Sequence, residues 1–192
     1  MRNRIIIFGK VEAFPFKFLG VQTMSEHATD LEQISPDSNS ITTSVVLDVS
    51  KEVVLAYLRN FEILIKLNPL VQSFTSLNTT TDVEPRSSYQ IVDQLTIFGV
   101  TFLQPYTARF TRTDDGVSVS TKASLGVSTT SRWVVEELGL TKVKVSDTSR
   151  VDCNCILRGY VVSQIKSSHL ILIRELCKKL DDERDHPLKL DT

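Results

Sequence analysis

The chain has 192 residues, is 41% hydrophobic and 23% charged, and carries a formal net charge of −1. That is enough chain for one domain with a sizeable core, in an ordinary globular composition. No Lys/Arg run exceeds two residues, so there is no support for a basic nucleic-acid-binding face. No apolar run is long enough to span a bilayer.

The first 40 residues read as an N-terminal extension and linker. Arg2, Arg4 and the short apolar stretch Ile5 to Phe8 are followed by Gly9, Lys10 and Glu12. A secretory signal needs an unbroken apolar centre and a small-residue cleavage site, and neither is clear. Met24 opens an ordinary polar start, so residues 1–23 read as loosely attached or not native. Ser35 to Ser40 is a linker by composition.

From Ile41 the chain reads as structure. Val45, Leu47 and Val49 alternate as in a strand. Ser50 or Asp48 is placed to cap a short helix carrying Val53, Val54, Tyr57 and Leu58. Phe61 to Leu67 is a second short helix, stopped by Asn68-Pro69. Strands then follow one another: Leu70 to Leu77, a run from Tyr89 to Ile97, and Gln104 to Thr113. Gly99 marks a bend. Asp114-Asp115-Gly116 reads as a hairpin turn in which glycine supplies a positive φ. Val117 to Ala123, Thr129 to Leu138 and Thr141 to Cys155 complete about seven strands. Short connections make the sheet antiparallel.

Ile156 to Leu180 is different. Val161, Val162, Ile165, His169, Leu172, Ile173, Leu176 and Leu180 recur at helical spacing on one stripe. Asp181 to Thr192 reads as a charged, frayed tail. The domain is therefore expected over residues 41–183, with 184–192 beyond it. One long helix after many strands predicts an α+β fold in which the helix lies across a curved sheet.

That order resembles the helix-grip fold of the START / birch-pollen-allergen / polyketide-cyclase superfamily, abbreviated SRPBCC. The resemblance covers roughly Ile41 to Leu180. The phrases Tyr89-Gln90-Ile91-Val92-Asp93, Thr107-Ala108-Arg109-Phe110, Asp115-Gly116-Val117, Arg132-Trp133-Val134-Val135 and Cys153-Asn154-Cys155-Ile156-Leu157 resemble a filamentous-fungal branch of it. The resemblance implies a hydrophobic cavity between sheet and helix. It implies either a carrier or a catalyst of cyclisation, condensation or pericyclic chemistry. It transfers no catalytic residue. The Asn78 to Arg86 loop has no glycine, which argues against a phosphate cradle there.

Candidate chemistry is read from polar residues on apolar faces. His169 on the helix stripe is either a general base or hydrogen-bond donor in a pocket, or a buried histidine with a structural partner. Asp93 shares a face with Tyr89, Ile91, Leu95 and Ile97. There its carboxyl would be hard to ionise, unless it marks a bulge or pairs with Arg109. The Tyr106 hydroxyl is either a donor to a substrate oxygen or that of a half-buried strand tyrosine. Tyr57 and Tyr160 share that ambiguity. Trp133, the single tryptophan, is a core or cavity-wall residue on the opposite face from Arg132. Asp147 and Ser149 share a face with Val143, Val145, Val151, Cys153 and Cys155, and a mixed inner face suits a pocket.

The expected catalytic groups are thus His169, Tyr106 and Asp93. The expected substrate contacts are Tyr89, Ile91, Phe110, Trp133, Asp147, Ile165 and Leu172. The three cysteines Cys153, Cys155 and Cys177 lack a disulfide or zinc pattern and read as small core residues in a reducing compartment. No nucleophile elbow, phosphate loop, dinucleotide fingerprint or metalloprotease helix is present. The expected partner is a hydrophobic small molecule, with no cofactor, no metal, no nucleic acid and no integral membrane segment, in the cytoplasm. The expected function is a cyclase, isomerase or pericyclic catalyst on a polyketide- or terpenoid-type secondary metabolite. A carrier or sensor of a lipid-like ligand is the alternative.

Overall fold

The computed structural model describes residues 31–34, 40–77, 86–97 and 100–185. Their elements are β1 (Leu31–Ile34), β2 (Ser40–Leu47), α1 (Lys51–Arg59), α2 (Phe61–Leu67), β3 (Val71–Ser76), β4 (Arg86–Ile97), β5 (Val100–Thr113), β6 (Gly116–Ala123), β7 (Ser128–Gly139), β8 (Lys142–Asp152) and α3 (Cys155–Asp185). The expected strands are all present as β2 to β8. An eighth, β1, is added at the edge, giving the order β1-β2-β8-β7-β6-β5-β4-β3. Each pairing is antiparallel. The curved antiparallel sheet with a long C-terminal helix is the expected α+β helix-grip fold.

Several local expectations need correction. Leu31–Ile34 pairs with β2, so the sheet begins inside the segment read as linker. Helix α3 runs to Asp185, so the first part of the charged tail is helical. Cys155 opens α3 rather than closing β8, so Cys153 and Cys155 are not a same-face strand pair. Cys153 and Cys177 are free thiols. The expectations for residues 1–23, Ser35 to Asn39, Asn78 to Pro85, Gly99 and 186–192 lie outside the described residues.

The helix boundaries follow from their end residues. Ser50 stands in an extended conformation before α1 but makes no side-chain cap. Asn60 does cap α2: its Oδ1 accepts from Ile63 N at 3.3 Å, which satisfies one of the free amides at a helix start. Asn68 leaves α2 in an extended conformation, as the residue before a proline prefers.

Gly116 corrects a reading of mechanism. It is not among the positive-φ glycines; Gly126, at φ 71°, is. Gly116 is needed for close approach instead. A Cβ there would stand 2.0 Å from the Trp133 carbonyl oxygen on β7.

The core lies between the inner sheet face and the helices. Strand β8 alternates strictly, burying Val143, Val145, Asp147, Ser149 and Val151. No bulge interrupts β8 over that stretch of its pairing with β7. Helix α3 is pinned by its second half, where Leu172, Ile173, Leu176 and Leu180 are buried. Each such side chain contributes roughly 1.5–3 kcal/mol. Val161, Val162 and Ile165, in the first half, are only half-buried.

Candidate functional site

The site is a cavity of about 100 Å³ between the sheet and the helices. Leu64, Ile65 and Asn68 come from α2, Val71 from β3 and Ile91 from β4. Tyr106, Ala108 and Phe110 come from β5, Val119 and Thr121 from β6. Thr129, Ser131 and Trp133 come from β7, and His169 and Leu172 from α3. Strand alternation explains the set: Thr129, Ser131 and Trp133 are two apart, as are Tyr106, Ala108 and Phe110.

One polar group is built around His169. Its Nδ1 is hydrogen-bonded to Asp147 Oδ2 on β8. Ser149 Oγ lies 3.3 Å from the same nitrogen. Ser149 faces Ser131 across the β7–β8 ladder, and their hydroxyls are 2.6 Å apart. Asp147 is 1% exposed, and its Oδ1 has no partner among the described residues. The imidazole is therefore the carboxylate's main compensation, as a buried charge requires. Burial disfavours the imidazolium of His169, but the charge and hydrogen bond of Asp147 outweigh it and raise the histidine pKa above its ordinary 6.5. With Nδ1 held, Nε2 is the nitrogen left for the cavity. The Trp133 ring lies 6.5 Å from the imidazole, tilted by 34°.

A second polar pair lies farther across the sheet. The Tyr106 hydroxyl donates to Asp93 Oδ1 at 3.3 Å. Burial lifts the Asp93 carboxyl to about 6 against a smaller opposing effect of that hydrogen bond. Burial also pushes the Tyr106 phenol up, with the nearby Asp93 charge adding to it. Of the readings left open for Asp93, the bulge is present: β3–β4 slips between Val71 and Ser73, opposite this residue. The ion pair with Arg109 is not formed. Arg109 pairs with Ser88 in the ladder, and Asp93 with Gln104. Arg109 is exposed and Asp93 buried, on opposite faces.

Of the expected site residues, Tyr106, Ile91, Phe110, Trp133, His169 and Leu172 line the cavity. Asp147 and Asp93 stand behind His169 and Tyr106 as their partners. Tyr89 is a core residue, edge-on to Phe110 at 5.6 Å. Ile165 is half-buried and is not part of the lining. Sequence reasoning missed the α2 wall and the hydroxyls of Ser131, Thr121 and Thr129. The last two are 2.7 Å apart. Spacing held the signal: Phe61, Leu64 and Ile65 make a helical face, and Ser131 is two from Trp133.

A curved sheet gripping a terminal helix over a lined cavity defines the START-like helix-grip class. A START superfamily protein from Mycobacterium smegmatis shares it with a TM-score of 0.60 at 14% identity, over 75% of this chain and 98% of that one. The ZhuI aromatase/cyclase from Streptomyces sp. R1128 matches with a TM-score of 0.64 at 8% identity, over 76% and 94%. The di-domain ARO/CYC BexL from the BE-7585A biosynthetic pathway matches with a TM-score of 0.54 at 9% identity, over 74% of this chain and 50% of that one. Such low identities carry the fold alone. The family model described as a domain of unknown function (DUF7053) matches residues 36–182, and the chain belongs to that family. No curated protein matches the chain. Among the described residues no helix is long and apolar enough to cross a membrane.

Proposed function

We propose that the protein is a cyclase, isomerase or pericyclic catalyst that works through its own side chains on a hydrophobic polyketide- or terpenoid-type substrate. The observation that carries this reading is the half-buried His169 held by the buried Asp147 at the wall of an otherwise largely apolar cavity. A carboxylate holding Nδ1 fixes the ring and favours the charged form after proton uptake. Nε2 then takes a proton from a carbon beside a carbonyl, or donates one to the developing enolate oxygen. Tyr106, tied to Asp93, offers a second hydrogen-bonding oxygen. The apolar walls fold a flexible substrate toward its reacting geometry.

The cavity volume, about 100 Å³, is below the roughly 300–1,000 Å³ of ordinary ligand pockets. Substrate entry therefore requires widening, and Val161, Val162 and Ile165 on α3 are only half-buried. The competing reading is a carrier of a lipid-like ligand, favoured by the share of leucine, isoleucine, valine and phenylalanine in the lining. Incubation of purified protein with poly-β-ketone or terpenoid intermediates separates the two. Acceleration over buffer, lost in His169→Gln with ligand binding retained, is expected. Binding without any change in rate or product would leave only the carrier.

A further inference from the structure

The charges around the cavity narrow what it can hold. Among the described residues that line it, only His169 and Tyr106 are titratable, and none is a lysine or an arginine. Behind each stands a carboxyl group: Asp147 on β8 and Asp93 on β4. Those strands are four places apart in the sheet, roughly 19 Å along its surface. The cavity is thus flanked by acidic groups on both sides. The positive charge that His169 offers is already matched by Asp147.

Two cations on neighbouring elements, among the described residues, are engaged elsewhere. Arg112 lies over the Phe61 ring with its guanidinium carbon 5.4 Å from the centroid. Lys66 lies over the Phe74 ring at 5.6 Å. Neither side chain lines the cavity. A carboxylate or phosphate entering it would share one imidazolium with Asp147, leaving a net buried negative charge. Such a charge without its own partner is strongly unfavourable. A carbonyl or hydroxyl oxygen meets no such penalty, because it needs only the Nε2 hydrogen bond.

We propose that the cavity selects uncharged ligands that present a carbonyl or hydroxyl oxygen on an apolar skeleton, and rejects free acids and phosphate-bearing lipids. This rests on the cavity assignment above and names the ligand class of the same site. It excludes a fatty-acid or phospholipid cargo. It also requires that any acyl substrate reach the imidazole as a neutral ketone, ester or thioester.

The test uses Trp133, the only tryptophan in the chain and part of the cavity wall. Its fluorescence is followed while the full chain is titrated with methyl nonyl ketone, undecanol or undecanoate, at about pH 8 so that the acid is ionised. The ketone and alcohol are expected to bind at least about tenfold more tightly than the acid. In Asp147→Asn the buried charge that repels a ligand carboxylate is gone, and the carboxylate, taking up a proton at His169 as it binds, can fill the place that Asp147 held. The preference should then shrink by about tenfold or more. Circular dichroism confirms that the variant is folded; if it is not, the same ratio is followed in the intact chain as the acid is neutralised toward about pH 4. There the preference should vanish. Equal or tighter binding of undecanoate at the higher pH overturns the proposal, as does the absence of any response to the neutral probes. A neutral ligand that binds but is never converted counts against catalysis and leaves the selectivity standing.

Discussion

His169 on α3 and Asp147 on β8, 22 residues apart in sequence, share a hydrogen bond through Nδ1 and Oδ2. The contact joins the gripping helix to the sheet through one polar residue of each. Its worth is asymmetric. Formed, it offsets the cost of two desolvated groups; with one partner removed, it strands the other.

Removal of His169 alone should therefore be severe. His169→Phe leaves the Asp147 charge buried beside an Oδ1 that already has no partner among the described residues. A loss of about 3–5 kcal/mol is expected. Adding Asp147→Asn removes the stranded charge and should restore much of it. Urea unfolding of the two single variants and the double variant gives the coupling directly. Additive losses would mean that the two groups do not act as a pair.

The same contact makes stability depend on pH. The folded-state pKa of His169 is raised above its ordinary 6.5, against the pull of burial, by the Asp147 charge and hydrogen bond. A raised histidine binds its proton more tightly when folded. Its contribution is complete below 6.5 and is lost as pH rises through the folded value. Trp133, 6.5 Å from the ring, should report the titration in the folded protein. A fluorescence midpoint above 6.5 is expected in the native chain, moving down in Asp147→Asn. A native midpoint at or below 6.5 would contradict the pairing.

Asp93 also costs stability as pH rises, here because its charged form is the disfavoured one. Burial raises its carboxyl from 3.8 to about 6, the Tyr106 hydrogen bond opposing. The folded state holds the extra proton between those values, so stability falls as pH rises from about 4 to about 6. Asp93→Asn keeps an oxygen for the Tyr106 hydroxyl and removes the charge. It should stabilise the protein at neutral pH by roughly 2 kcal/mol after allowance for residual solvent screening. The gain should disappear near pH 3.8. Paired denaturation curves at the two pH values check it; a variant less stable than the native chain at pH 7 would show that the carboxylate is well solvated or paired.

What could be read from the chain alone follows the range of each interaction. Helix α3 was legible because the spacing of Leu172, Leu176 and Leu180 is local. Inward orientation of Asp147 and Ser149 was legible because alternation is local too. The bond between Asp147 and His169 was not, since it depends on where the helix crosses the sheet. Strand β1 was missed for a related reason. Four residues in a polar setting carry too little pattern, and the strand is defined by its ladder with β2. The end of α3 was read short because Asp181 and Asp182 lengthen the helix without adding to its apolar stripe. For Asp93, the face was legible. The choice between a bulge and an Arg109 pair was not, since it is strand register that puts Arg109 on the other side.

Glycine makes the final case for register over local propensity. Gly116 begins β6 directly against β7, where a Cβ would lie 2.0 Å from Trp133 O and 2.8 Å from its carbonyl carbon. Those atoms are backbone within a paired ladder and cannot swing aside. Gly116→Ala should cost at least about 3 kcal/mol, the upper range for overpacking, and should loosen the Trp133 wall of the cavity. Gly159 is the control. It lies exposed in α3, and a Cβ there meets nothing within 4 Å. Gly159→Ala should stabilise by about 0.5–1 kcal/mol, because alanine loses less backbone entropy in a helix. Melting temperatures of the two variants should move in opposite directions. A tolerated Gly116→Ala would mean that β6 and β7 are not held at that separation, and the placement of Trp133 beside His169 would fall with it.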